Sequence, residues 1–136
     1  MAEGAHMRIV FYATPRSKKN SQQIFRGKGG RPFITQSQQY KDYERECLRQ
    51  LKDKHKQKID YPVNVQCVFY MPTRRKVDIT NLTAAVHDIL VKGGVLADDN
   101  RNIVAGMDGS RVFYDRDKPR VEIEITPMMD YTQWQR

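Results

Sequence analysis

Residues 63–70 carry the most regular pattern in this chain of 136 residues. Every second side chain is apolar, and these side chains belong to Val63, Val65, Cys67 and Phe69. A period of two is typical of a β-strand with one buried face, and Pro72, which cannot donate to a ladder of hydrogen bonds, ends the pattern. Any fold for this chain must therefore cover one face of this strand.

Two amphipathic helices are predicted, one on each side of this strand in the sequence. Apolar residues recur at steps of three and four from about Ser37 to Lys56, and again from about Leu82 to Lys92, where a Gly-Gly pair ends the pattern. Asp78 or Thr80 can cap the second helix through a side-chain oxygen. These helices supply the apolar surface that the strand needs.

Further strands are predicted towards both ends of the chain. Residues 8–14 are rich in β-forming residues, and residues 119–126 alternate apolar and acidic side chains. Between the second helix and the last strand, Ile103–Met107 and Arg111–Tyr114 are predicted to form a hairpin around Asp108-Gly109, a dipeptide that supplies positive φ values. The expected fold is α/β (α+β), a small single domain in which a mixed sheet carries two main helices.

The composition indicates a soluble intracellular protein. Cys47 and Cys67 lie in apolar-periodic segments, which is typical of reduced core thiols. No apolar run approaches the length of a membrane span, so no membrane partner and a cytoplasmic location are expected. Residues 1–6 resemble a leader added in cloning, residues 7–127 form the expected domain, and residues 128–136 form a tail that either frays or docks on a partner subunit.

The chain is basic, with 24 Lys and Arg residues against 16 Asp and Glu residues and a net charge of +8. Residues 15–32 combine cations with glycines, a composition that cannot pack a core and suits either a mobile cationic arm or a solvated loop. A second basic segment follows the central strand. The residues expected to grip phosphates are Arg16, Lys18, Lys19, Arg26, Lys28, Arg31, Arg74, Arg75 and Lys76.

Acidic side chains stand out around the second helix because the rest of the chain is basic. Asp78 precedes the helix, Asp88 lies within it, and Asp98 and Asp99 follow it. Grouped carboxylates repel one another unless a cation or a substrate role holds them, so the first hypothesis is a divalent-metal site acting on nucleic acid. In the alternative interpretation, Asp78 is only a helix cap and the later pair only forms a turn.

Simple geometry permits the acidic groups to meet. A helix over residues 82–92 carries the chain roughly 16 Å away from Asp78. Five extended residue steps after Gly94 cover at most roughly 17 Å, so an immediate reversal can bring Asp99 back beside Asp78. Mg²⁺ suits such a point because it binds through one or two carboxylates and keeps waters that contact a phosphate.

The motif over residues 74–99 resembles the core of the RusA family of Holliday junction resolvases. The family pattern has an Asp-x-Asp-Asn segment that opens a helix, a Lys one turn into that helix, and an Asp-Asp pair after a Gly-containing turn. The resemblance implies that Asp78 and Asp99 bind metal, with Asp98 beside the latter, and that Asn81 is the Asn of the motif. It also implies a small homodimer that binds four-way DNA junctions and makes paired, Mg²⁺-dependent nicks.

Two positions depart from the family pattern. Thr80, a neutral and weaker metal ligand, stands where the pattern has its second Asp, and Ala84 stands where it has the helix Lys. Other residues can compensate: Asp88 can supply a carboxylate, and Arg75, Lys76 or His87 can approach the phosphate. The departures leave open a junction-binding protein with little nuclease activity. Two other functions are considered beside the resolvase: a non-catalytic DNA- or RNA-binding module, and a basic protein-interaction domain.

Overall fold

A computed structural model of the chain describes residues 6–18, 22–26 and 32–128. Its elements are, in chain order, β1 (Met7–Phe11), β2 (Gln22–Arg26), β3 (Pro32–Gln36), α1 (Gln38–Gln50), β4 (Val63–Met71), α2 (Ile79–Lys92), β5 (Val104–Gly106), β6 (Arg111–Tyr114) and β7 (Arg120–Pro127). Apart from His6 and Met128, the predicted leader and tail lie outside the described residues. No helix in the described ranges is long and apolar enough to cross a membrane.

The main sheet is mixed, as predicted. Its order is β1-β7-β4, and both β5 and β6 lie along the far side of β4. The strand β7 is antiparallel to β1 and to β4, whereas β5 and β6 run parallel to β4. With the two helices, this confirms the predicted α+β architecture.

The core lies between the sheet and the helices. Alternate residues of the two central strands are buried, and these are Val63, Val65, Cys67, Phe69, Met71, Val121, Ile123 and Ile125. The predicted apolar face of α2 is also buried and consists of Leu82, Ala85, Val86, Ile89 and Leu90. Cys47 and Cys67 are buried free thiols, as predicted, and burial raises the pKa of each to about 12.

The first helix is shorter than predicted. It begins after Ser37, whose hydroxyl accepts a hydrogen bond from the Tyr40 amide at 3.2 Å, but it ends at Gln50 instead of Lys56. Leu51 has extended backbone, and a short 3-10 helix follows at Asp53–His55. The prediction was wrong here because Leu51 and His55 are both buried, so the spacing of apolar positions continues after the helical backbone has ended.

The predicted hairpin of β5 and β6 is wrong. Both strands pair with β4 in parallel. The Asp108-Gly109 turn connects them beside Asn64, where the pairing register of β4 is irregular. The Asn64 amide group accepts a hydrogen bond from the Asp108 N–H at 2.8 Å and donates one to the Asp108 carbonyl at 3.1 Å. Because a side chain of β4 satisfies the turn, the chain continues along β4 instead of folding back on itself.

Gly109→Ala tests this turn. Gly109 has a φ of 87°, which costs an L-residue about 1–2 kcal/mol, and an added Cβ would lie 2.2 Å from the Gln66 Oε1 atom. We expect the free energy of unfolding, measured by urea titration, to fall by at least about 1 kcal/mol. In a Gln66→Ala background the clash with Gln66 is removed, so only the cost of the positive φ should remain. If Gly109→Ala left the stability unchanged in both backgrounds, the positive φ assigned to Gly109 would be contradicted.

The basic segment after β1 contains paired strands that were not predicted. β2 and β3 form a two-stranded antiparallel sheet, separate from the main sheet, with Gln22 opposite Gln36. Pairing of this kind satisfies backbone hydrogen-bonding groups without requiring an apolar core. The segment predicted as an arm or a loop therefore contains a strand, β2, which pairs with β3 outside the main sheet.

Candidate nucleic-acid interface and active site

Three loops meet at one edge of the main sheet. β1 and β6 both run in the direction of β4, so the residues that follow these three strands emerge on the same side. These residues are 12–18, 72–78 and 115–119, and we call the surface that they form the C-terminal edge. The N-terminus of α2 begins there, immediately after Asp78.

A cleft of about 460 Å³ opens at the C-terminal edge between the loops that follow β1 and β4. One carboxylate, from Asp78, and three cations, from Arg16, Arg75 and Lys76, line it. A phosphodiester carries negative charge and is attracted by such cations, while a carboxylate in their midst can hold a metal ion. The cleft therefore combines the groups needed to bind a phosphate and to place a cation beside it.

Asp78 is both a helix cap and a residue of the cleft. Its Oδ1 accepts a hydrogen bond from the Thr80 N–H at 2.9 Å, and its side chain is exposed to solvent. The two interpretations of this residue from the sequence are thus compatible, because capping engages one carboxylate oxygen. Thr80 is exposed in the first turn of α2, and Asn81 beside it is half-buried.

The loop after α2 holds Asp98 in a local structural role. The Val95 and Leu96 amides both donate to the Leu90 carbonyl, so the chain folds back over the last turn of α2. The Asp98 carboxylate accepts from the Asp99 N–H at 2.7 Å and from the Asn100 side-chain amide at 3.1 Å. Both Asp98 oxygens are therefore occupied within the loop, while Asp99 is exposed.

His87 is buried in the middle of α2 and does not approach the surface as the sequence interpretation allowed. Burial lowers the pKa of its imidazole, and the negative charges of Asp99 and Asp88 oppose this shift. Asp99 is not among the residues that line the cleft with Asp78. A site shared by Asp78 and Asp99 stays a prediction.

The residues of this region could hold a divalent cation only at an exposed site, through one or two carboxylates. The described part of the chain contains no group of three or more His, Cys, Asp or Glu side chains placed to bind a metal ion. Mg²⁺ does not require such a cage, since it commonly binds through one or two carboxylates together with water and substrate phosphates. The exposed carboxylates of Asp78 and Asp99 suit this mode better than Asp98, whose oxygens are already hydrogen-bonded.

Lys18 and Asp88 form an ion pair that the sequence did not reveal. The Lys18 ammonium also lies 6.0 Å from the centre of the Tyr40 ring. Lys18, predicted to bind phosphate, here pairs with the carboxylate predicted as a secondary catalytic group, and its contact with phosphate stays a prediction. The pair joins the loop after β1 to α2, and no local pattern could have shown it because the two residues are far apart in the chain.

Aromatic residues at the C-terminal edge were also missed. The Arg74 guanidinium lies 4.2 Å from the centre of the Tyr114 ring, and the Lys118 ammonium lies 5.0 Å from that of Tyr12. The contact between Arg74 and Tyr114 depends on the parallel pairing of β6 with β4, which the predicted hairpin did not include. Of the predicted arm cations, Lys19, Lys28 and Arg31 lie outside the described residues, and Arg26 is described only as part of β2.

Two comparisons with known proteins identify the family of this chain. Residues 11–126 match the family model described as Endodeoxyribonuclease RusA. A crossover junction endodeoxyribonuclease RusA from Aquifex aeolicus (strain VF5) is 30% identical over 93 residues, which are 68% of this chain and 72% of the relative. The matched family range begins at the last residue of β1 and ends within β7, so it includes both helices, the strands between them and the residues that line the cleft.

Proposed function

Because this chain belongs to the RusA family of endodeoxyribonucleases, we propose that it resolves four-way DNA junctions by Mg²⁺-dependent hydrolysis of phosphodiester bonds. The observation that carries the proposal is the cleft that Asp78 lines together with Arg16, Arg75 and Lys76. A carboxylate among cations suits a phosphate-cutting site better than a surface that only binds DNA, which needs no anion at its centre.

In this proposal Arg16, Arg75 and Lys76 bind the phosphates that flank the cut, while Asp78 and Asp99 hold Mg²⁺. When bound, Mg²⁺ lowers the pKa of an attacking water and stabilises the charge on the leaving oxygen. Ala84 supplies no cation, so the cations of the cleft take over the stabilisation of developing negative charge. Thr80 contributes a neutral oxygen at most, which predicts weaker metal binding than a second carboxylate would provide.

The proposal includes a homodimer, which the symmetry of the substrate supports. A four-way junction has approximate two-fold symmetry, and each protomer of a two-fold dimer presents the same cleft to one of two equivalent strands. Paired nicks in strands of like polarity are then the natural product. The mass of the protein in solution, alone and with a junction, tests the dimer directly.

A second candidate is a non-catalytic protein that binds branched DNA or other nucleic acid. The observation that favours it is that Thr80 and Ala84 stand where the family pattern has its second Asp and its helix Lys. The same cationic cleft would then only bind phosphates.

A cleavage assay separates the two candidates. A labelled synthetic four-way junction and a linear duplex of the same arm sequence are incubated with the protein in Mg²⁺ or in EDTA. We expect symmetric nicks in the junction with Mg²⁺, none in EDTA, and little cutting of the duplex. Tight junction binding without cutting across a range of Mg²⁺ and Mn²⁺ concentrations would instead support the binding protein.

Junction binding is also expected to weaken steeply as salt is raised, because each neutralised phosphate releases counterions. Arg75→Gln should reduce the slope of log affinity against log salt by about 1. Lys54→Gln is the matched control, because Lys54 is an exposed cation in the 3-10 helix that precedes the opposite end of β4. Fluorescence anisotropy in EDTA at several salt concentrations measures both slopes, and equal slopes for the two variants would place phosphate contact elsewhere.

A further inference from the structure

Tyr114 presents an aromatic surface beside the cleft. The residue is 41% exposed although it belongs to a strand, and the Arg74 guanidinium lies over its ring at 4.2 Å from the centroid. No ion pair in the described part of the chain involves Arg74, so its charge is not neutralised by a carboxylate there. A flat ring and a positive guanidinium thus face solvent together.

Strand register places this pair at the rim of the cleft. Tyr114 pairs with Met71, and the following amide, that of Asp115, donates to the Met71 carbonyl at 2.8 Å. Met71 lines the cleft that contains Asp78, and Arg74 belongs to the segment that connects these two residues. The stack is therefore adjacent to the proposed cutting site and forms part of the same edge of the sheet.

The chemistry of the pair suits a nucleobase. Aromatic side chains bind bases by stacking, which every base permits because each has a π face, and a nearby guanidinium adds a cation–π contribution. Bases inside a linear duplex are already stacked on their neighbours and are costly to remove, whereas unpaired or distorted bases are the least costly to expose. A ring at this position therefore favours DNA whose bases are accessible, as at a branch point.

A second aromatic cluster provides a contrast within the same sheet. The Tyr70 and Phe113 rings lie 5.7 Å apart, and Arg120 lies 3.8 Å from the centre of the Tyr70 ring. Arg120 is held by Asp115 at 3.0 Å and by Glu122 at 2.8 Å, so its charge is neutralised. Phe113 is 51% exposed but, being next to Tyr114 in a strand, points to the other face of the sheet.

We infer that Tyr114, with Arg74, is a base-stacking platform that binds an exposed base at the branch point of a DNA junction and so favours branched over linear DNA. The inference rests on the proposed function for the identity of the ligand as DNA. It adds a residue that determines specificity, apart from the metal ligands and the phosphate-binding cations.

Binding measurements in EDTA test the platform without cutting the DNA. The probe is a four-way junction with 2-aminopurine at the branch point, compared with a linear duplex carrying the same label away from its ends. Tyr114→Leu should weaken junction binding by about 5- to 150-fold and leave duplex binding within about twofold, because only the junction offers a base to stack. Tyr114→Phe, which keeps the ring, and Phe113→Leu, which removes the neighbouring ring, should both bind the junction like the wild type.

The fluorescence signal reports stacking itself. The wild type should change the emission of 2-aminopurine at the branch point, and Tyr114→Leu should not, while its thermal melting shows that it remains folded. Equal loss of junction and duplex binding, or wild-type junction binding by Tyr114→Leu, would overturn the inference. Parallel cleavage assays in Mg²⁺ keep the two proposals apart: stacking without cutting by the wild type rejects only the nuclease, and cutting without stacking rejects only the platform.

Discussion

Asp78→Asn is expected to reduce the rate of junction cleavage by at least about 100-fold while junction binding stays equal or becomes tighter. The substitution keeps the shape of the side chain and removes one negative charge from a cleft that also contains Arg16, Arg75 and Lys76. Loss of the charge weakens the hold on a metal ion, and it also increases the attraction of the cleft for phosphate. Single-turnover cleavage in Mg²⁺ and anisotropy in EDTA measure the two effects separately.

The N-cap role of Asp78 should not complicate the interpretation of this variant. Asn is as good an N-cap as Asp, so the hydrogen bond to the Thr80 amide has a replacement and the thermal melting temperature should change little. Asp108→Asn is the matched control, because Asp108 is an exposed carboxylate in a turn outside the cleft. If Asp78→Asn cuts like Asp108→Asn, Asp78 is only a helix cap.

Phe69→Ala is expected to lower the free energy of unfolding by about 3–5 kcal/mol. Phe69 has no exposed surface and lies at the centre of β4, opposite Val121 of β7 on one side and Val112 of β6 on the other. Removing the ring leaves a cavity between sheet and helices that two neighbouring strands prevent from collapsing. Since small domains have only about 5–15 kcal/mol of stability, the loss is a large part of the total.

Phe113→Ala provides the comparison for Phe69→Ala. The two residues have the same side chain and lie on adjacent strands, but Phe113 is 51% exposed. We expect its substitution to cost less than about 1 kcal/mol, because little apolar surface is returned to water. Urea unfolding followed by circular dichroism gives both values. Similar losses for the two variants would contradict the assignment of Phe69 to the buried face of the sheet and of Phe113 to the exposed face.

Much of the candidate site could be predicted because it depends on local chemistry. An Asp before an amphipathic segment predicts a helix cap, and a basic turn after a buried strand predicts a cationic loop, so Asp78, Arg75 and Lys76 were identified together. The link between Lys18 and Asp88 and the burial of His87 could not be predicted in this way. They depend on which face of α2 packs against the sheet and on where the loop after β1 crosses it.

By itself the sequence determined the elements whose residues interact with near neighbours: the two-residue period of β4, the apolar face of α2 and the cap at Asp78. Only the tertiary structure decided the direction of β6. An Asp-Gly turn is compatible with a hairpin and also with a path along a parallel strand. Here the turn exchanges two hydrogen bonds with the side chain of Asn64, which is distant in sequence: the Asp108 N–H donates one and the Asp108 carbonyl accepts the other. The parallel path carries Tyr114 to the end of the sheet where Asp78 lies, because strand direction is settled by pairing between distant segments and not by the residues of the turn.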